Sequence, residues 1–119
     1  MEDIRRNIRR LACHAEESEK SIEAYLVRTV REHGGLCLKF SSHTETGYPD
    51  RLLLMPGGRT AWVEVKSRGK KPRRIQEIRM GGLRALGFEV YVVDSREKVE
   101  EIMRDMKMEA SPNSAMGMR

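Results

Sequence analysis

The chain has 119 residues, 34% charged and 39% hydrophobic, with 23 Lys and Arg against 18 Asp and Glu for a net charge of +5. That length holds one domain and one core, burying roughly two thirds of the unfolded surface, and leaves no room for a second catalytic domain. The composition is that of a soluble globular protein, its basic balance points weakly to a polyanionic partner, and no apolar run is long enough to span a bilayer.

Residues 1–17 are highly charged. Arg5, Arg6, Arg9 and Arg10 can line one side of a helix, with Ile4, Ile8 and Leu11 on another, which predicts a basic N-terminal helix or arm. The N-terminus lacks the apolar run of a signal peptide. Cys13 and Cys37 have neither metal spacing nor a CxxC motif, so both read as reduced thiols in a cytoplasmic protein. With three scattered histidines they form no zinc site unless partners assemble one.

Ser18 can cap a helix running to about His33, with Ile22, Leu26, Val27 and Val30 at helical spacing and Gly34-Gly35 as its stop. Residues 36–40 read as a strand, and 41–49 as a polar loop broken by Gly47 and Pro49. Residues 51–55 form a second strand, Pro56-Gly57-Gly58 a turn, and 60–67 a third strand, which makes a hairpin. A basic loop follows, then a helix with Ile75, Ile78, Leu83 and Leu86 as its expected buried stripe and Gly87 as its stop. Gly81-Gly82 inside that helix costs roughly 1 kcal/mol per glycine relative to alanine, which a close contact to another helix or subunit would justify. Residues 88–93 are a fourth strand. Asp94-x-x-Glu97 resembles a capping box for a last helix with Val99, Ile102, Met103 and Met106 on its apolar face. Residues 108–119 have the composition of a disordered tail. The order is α-β-β-β-α-β-α, an α/β sandwich with a mixed central sheet flanked by helices.

Alternation along the third strand puts Ala61, Val63 and Val65 toward a core and Trp62, Glu64 and Lys66 on the other face. Glu64 and Lys66 are then about 7 Å apart along the strand. A carboxylate and an ammonium on one rigid face suit metal-assisted hydrolysis, the first binding a hard cation and the second orienting a water. An exposed face with a surface ion pair is the other reading. Asp50 favours the first, because a hairpin centred near Gly57-Gly58 brings it beside Glu64, and two close carboxylates repel unless they share a cation. Mg²⁺ prefers such an oxygen site. Asp50 as an ordinary turn residue stays open. Glu23 falls within the apolar stripe of the first helix, where a carboxylate is costly unless paired or metal-linked, or else sits at its edge and reaches solvent. Glu19, nearer the helix start, is the fallback, where it can also favour the helix dipole.

Asp50 followed by Glu64-Val65-Lys66 resembles the signature of the PD-(D/E)XK nucleases, with Pro49-Asp50 supplying the literal Pro-Asp. Gly47-Tyr48-Pro49-Asp50, Glu64-Val65-Lys66-Ser67 and Gln76 in the next helix resemble its VRR-NUC branch, over about Ser18 to Met106. That branch includes stand-alone phage and bacterial proteins and the C-terminal domain of the Fanconi-associated nuclease.

The resemblance implies a restriction-endonuclease-like core over residues 18–107. It implies that Asp50, Glu64 and the Val65 carbonyl bind Mg²⁺ or Mn²⁺. It implies that Lys66 positions the attacking water and stabilises charge on the phosphate. It further implies that Glu23 holds a metal-bound water or a second metal, and that Gln76 braces the site or contacts a phosphate. Gln76 as a plain first-turn helix residue is equally open. The implied activity is endonucleolytic hydrolysis of DNA, with branched substrates such as four-way (Holliday) junctions and a homodimer suggested by the stand-alone relatives. A bacterial or phage-infected cell would be the setting.

Arg68, Lys70, Lys71, Arg73 and Arg74 follow the catalytic strand directly and are placed to hold backbone phosphates. His43 reads as a surface loop residue, and the few aromatics form no evident stacking platform. The alternative is a non-catalytic or partner-dependent DNA-binding module on the same fold. A small-molecule enzyme is disfavoured, since no Gly-rich phosphate loop or nucleophile constellation is present.

Overall fold

In the computed structural model, which describes residues 4–5 and 18–108, Ser18 opens the first element of the domain. Its hydroxyl accepts from the Ser21 N–H at 3.2 Å, satisfying one otherwise unpaired donor of helix α1, Glu19–Glu32. Gly34, at φ 83°, ends the helix. Its N–H donates to the Arg31 carbonyl and that of Gly35 to the Val30 carbonyl, both at 3.0 Å, the paired bonds of a Schellman stop. Strands β1 (Leu36–Lys39), β2 (Arg51–Leu54) and β3 (Thr60–Val65) follow, with a short 3₁₀ turn at Pro56–Gly58. Helix α2 (Arg74–Ala85), strand β4 (Glu89–Val93) and helix α3 (Arg96–Met108) complete the domain. The expected order of elements is observed, with ends shifted by a residue or two.

The sheet order is β1-β2-β3-β4. The first two pairings are antiparallel and the last is parallel, so α2 serves as the crossover between β3 and β4. Helices α1 and α3 cover one face. There Ile22, Leu26 and Val30 meet Leu53, Ala61, Val63, Val65 and Val93, together with the Val99, Ile102, Met103 and Met106 face of α3. All of the sheet residues in this set are fully buried, and each large aliphatic side chain so buried contributes about 1.5–3 kcal/mol before the opposing entropy is counted. Thr29 is buried on α1, whereas Val27 stays half-buried at the edge.

The opposite face is covered differently. Alternation puts Leu36, Leu38, Leu52, Leu54 and Trp62 on the side facing α2, because Leu36 pairs with Leu54, Leu38 with Leu52 and Leu52 with Trp62. Helix α2 packs Met80 and Leu83 over Trp62, Val90 and Val92, and among the described residues no helix covers the β1–β2 half. Leu36, Leu38 and Leu54 are therefore exposed.

The structure departs from the sequence pattern in α2 and at the start of α3. The stripe that α2 buries is Gln76, Met80 and Leu83, while Ile78 and Leu86 point outward. The helix is turned because Gln76 is drawn inward to a buried carboxylate. The N-terminal cap of α3 is Ser95, whose hydroxyl accepts from the Lys98 N–H at 3.2 Å, and not Asp94. Asp94 instead pairs with Lys98 at 3.5 Å and accepts from the Gly69 N–H at 3.4 Å, tethering the basic loop. Gly81 and Gly82 are exposed, and apart from the adjacent residues and the helix's own backbone nothing among the described residues lies within 4 Å of a side chain built at either. Of the N-terminal arm only Ile4 and Arg5 are described, helical and exposed; the rest of it, Cys13 and residues 109–119 of the tail lie outside the described residues.

Candidate active site

The upper ends of β2 and β3 carry the acids. Antiparallel register pairs Arg51 with Val63, so one step further sets Asp50 opposite Glu64. Pro49, fully buried, fixes the backbone before Asp50. The Asp50 carbonyl accepts from the Phe40 N–H at 2.7 Å. Gly47, at φ 94°, allows the preceding turn, and a side chain there would run into Ile75 of α2. The Gly-x-Pro-Asp run thus seats the acid by packing its loop against α2.

Glu64 is 2% exposed. Its Oε2 accepts from the Gln76 Nε2 at 2.9 Å and lies 3.3 Å from the Lys66 Nζ. Its Oε1 is buried and has no hydrogen-bond partner among the described residues. Burial, and then the neighbouring Asp50 charge, raise the Glu64 pKa above the usual carboxylate range. Asp50 is raised in the same sense, first by burial and next by Glu23. Two carboxylates that each disfavour their own charge, one with a buried unclaimed oxygen, fit a hard divalent cation. Among the described residues no group of three or more His, Cys, Asp or Glu side chains forms a metal-ligand cluster.

Lys66 lies just past β3, where its N–H donates to the Val93 carbonyl at 2.8 Å and its own backbone is held in line. Its side chain is 14% exposed. Gln76 is buried, and its Oε1 accepts from the Arg73 N–H at 2.8 Å while its Nε2 serves Glu64. One amide therefore joins the end of the basic loop to the carboxylate. Arg68, Lys70, Lys71, Arg73 and Arg74 lie on that loop and at the start of α2, beside the end of β3, and all five are exposed. His43 is exposed in the loop before Asp50.

Asp50, Glu64, Lys66 and Gln76 are thus brought together. Glu23, half-buried on α1, lies near enough for its charge to act on Asp50, but its Oε2 is 3.3 Å from the Arg51 Nε and so is committed to that cation. Glu19 is exposed. Sequence reasoning does not single out Arg51, although a signal exists. Arg51 shares strand parity with Leu53 and so faces α1, where a cation needs an acid, and Glu23 is the acid on that helix face. The Asp94 tether to Gly69 leaves no comparable trace.

No family model matches the chain. A curated protein of Acyrthosiphon pisum secondary endosymbiont phage 1, named "Putative nuclease p44", is 44% identical over 79 residues, covering 66% of this chain and 85% of that protein. A solved structure described as a VRR_NUC domain superposes with a TM-score of 0.69 at 30% identity, covering 72% of this chain and 94% of that one.

Proposed function

The chain belongs to the VRR-NUC family of nucleases, and on that premise we propose that it is a metal-dependent endonuclease hydrolysing DNA phosphodiester bonds. The observation that carries this reading is Glu64, a buried carboxylate that faces Asp50, is braced by Lys66 and Gln76, and keeps one oxygen without a partner among the described residues.

Asp50, Glu64 and the Val65 carbonyl would hold Mg²⁺, with Mn²⁺ as a substitute. When bound, the ion supplies a Lewis acid that activates a water and neutralises charge on the phosphate. Lys66, fixed by Glu64, orients the attacking water and stabilises the charge that builds on the phosphate oxygens. Gln76 fixes the orientation of the Glu64 carboxylate. Arg68, Lys70, Lys71, Arg73 and Arg74 grip the backbone on either side of the scissile bond, and the Asp94 contact to Gly69 steadies their loop.

Selectivity for branched DNA such as four-way junctions, and action as a homodimer, belong to the same reading. They are supported by the bare leucine face of β1–β2 and the open Gly81-Gly82 surface, which a second copy can cover, and by the fit of two sites on a twofold particle to paired incisions. A cytoplasmic setting suits Cys37, a free thiol that burial makes harder to ionise. Cleavage of labelled linear duplex, flap and four-way-junction DNA in Mg²⁺, Mn²⁺ or EDTA tests the proposal. Metal-dependent cutting that favours the junction is expected. Binding to all three without cutting under either metal would refute it.

A further inference from the structure

Arg51 stands next to Asp50 in sequence but points to the opposite face of the sheet, toward α1. It is held at two points. Its Nε donates to the Glu23 Oε2 at 3.3 Å, and its Nη1 to the Cys37 carbonyl at 3.4 Å. Its side chain is 15% exposed and that of Glu23 29%.

The three acids at this end of the domain differ in what their oxygens already do. Asp50 receives no side-chain donor among the described residues, and Glu64 keeps its Oε1 unclaimed in the interior. Glu23 is near enough for its charge to act on Asp50, yet it is bonded to Arg51 and, among the described residues, completes no three-acid cluster with them.

We propose that Arg51 acts as a latch that withholds Glu23 from the cation site, so that each chain takes a single divalent ion at Asp50 and Glu64 and admits a second only when Arg51 lets go. The inference rests on the nuclease reading above and adds to it the metal stoichiometry and the residue that sets it. For Glu23 to turn toward a second ion, a largely buried guanidinium must lose its counter-ion, which is costly while nothing replaces it. A backbone phosphate can replace it, since it offers Arg a bidentate partner at least as good as a carboxylate. Entry of a second ion is then coupled to DNA, and by linkage each favours the other.

The test is a count of Mn²⁺ bound per chain at fixed pH, by calorimetry and by the magnetic-resonance signal of free Mn²⁺. It uses the full chain, Arg51→Gln, Glu23→Gln and the double variant, with thermal melting to confirm folding. One ion is expected for the wild type, two for Arg51→Gln, and one again for the double variant. Glu23→Gln alone should bind its ion with less than the roughly tenfold weakening expected from loss of even an outer-shell partner, a result that does not depend on Arg51→Gln folding. Two ions of similar affinity in the wild type, one ion in folded Arg51→Gln, or a larger loss in Glu23→Gln would overturn the latch and leave the nuclease reading standing. No ion bound to the wild type at millimolar Mn²⁺ would overturn both.

Discussion

The Gln76 side-chain amide donates to the Glu64 Oε2 at 2.9 Å from within the buried face of α2. The same side chain accepts from the Arg73 N–H, so its two ends are both committed and its orientation is fixed. A neutral donor on Oε2 favours the ionised form of a carboxylate that burial otherwise opposes.

Gln76→Ala removes that donor and also leaves the Arg73 N–H without its acceptor. Cleavage should fall about 10- to 100-fold, as on loss of an outer-shell partner. Folding should weaken by about 1–2 kcal/mol from removal of the cap and the buried bond. Rate constants and thermal melts check both parts. The loss should lie in kcat, with DNA affinity little changed.

The raised pKa values of Asp50 and Glu64 set a pH dependence with a definite sign. A carboxyl raised on folding stabilises the fold fully below its unfolded pKa, and that contribution is lost as pH climbs through the folded value. The metal-free protein should therefore lose stability from the ordinary carboxylate range upward. Asp50→Asn, which cannot ionise, should melt above the wild type in EDTA at pH 7, while cutting at least about 100-fold more slowly with Mg²⁺. A variant that melts lower in EDTA would contradict the account of the site. With metal present, cutting should decline as pH falls through the same window, because protons compete for the oxygens.

The basic loop should act on affinity. Lys70→Ala with Lys71→Ala is expected to weaken binding to all duplex sequences alike. The slope of log affinity against log salt should shrink by about 0.9 for each phosphate that is no longer neutralised. Saturating cleavage rates should hold. A salt slope equal to the wild type would remove these lysines from the interface.

Leu38 and Leu54 stand exposed on the bare half of the sheet. Leu38→Glu or Leu54→Glu should change the stability of the single chain by no more than about 0.5 kcal/mol, as surface substitutions usually do. If the proposed dimer forms through this face, each should turn it into monomers by light scattering and lower junction cutting. A wild-type chain that is monomeric at the assay concentration yet cuts junctions would refute the dimer.

Much of this architecture is legible in the sequence, because periodicity and breakers speak plainly in it. The Ser18 cap, the Gly34-Gly35 stop and the alternation of Ala61, Val63 and Val65 against Trp62, Glu64 and Lys66 each follow from local chemistry. The Asp50–Glu64 juxtaposition follows from the hairpin centre alone. The rotation of α2 does not. Apolar spacing favours Ile78 and Leu86, but a buried carboxylate overrides them by requiring Gln76 inside. The Ser95 cap is hidden because Asp94 fits the same motif one residue earlier, and only the tether to Gly69 takes Asp94 away. The Arg51–Glu23 pair needs two elements far apart in sequence to be superposed, which periodicity within each element does not do.

The measurement that bears most directly on the site is cleavage of labelled duplex DNA by the wild type and by Lys66→Ala, each in Mg²⁺, Mn²⁺ and EDTA, with DNA binding followed in parallel. The expected result is cutting by the wild type with either ion and none in EDTA. In the variant, cutting should fall by about 10²–10³ or more while binding is retained. Undiminished cutting by Lys66→Ala, or cutting by the wild type in EDTA, would contradict the assignment of Asp50, Glu64 and Lys66 as the catalytic centre.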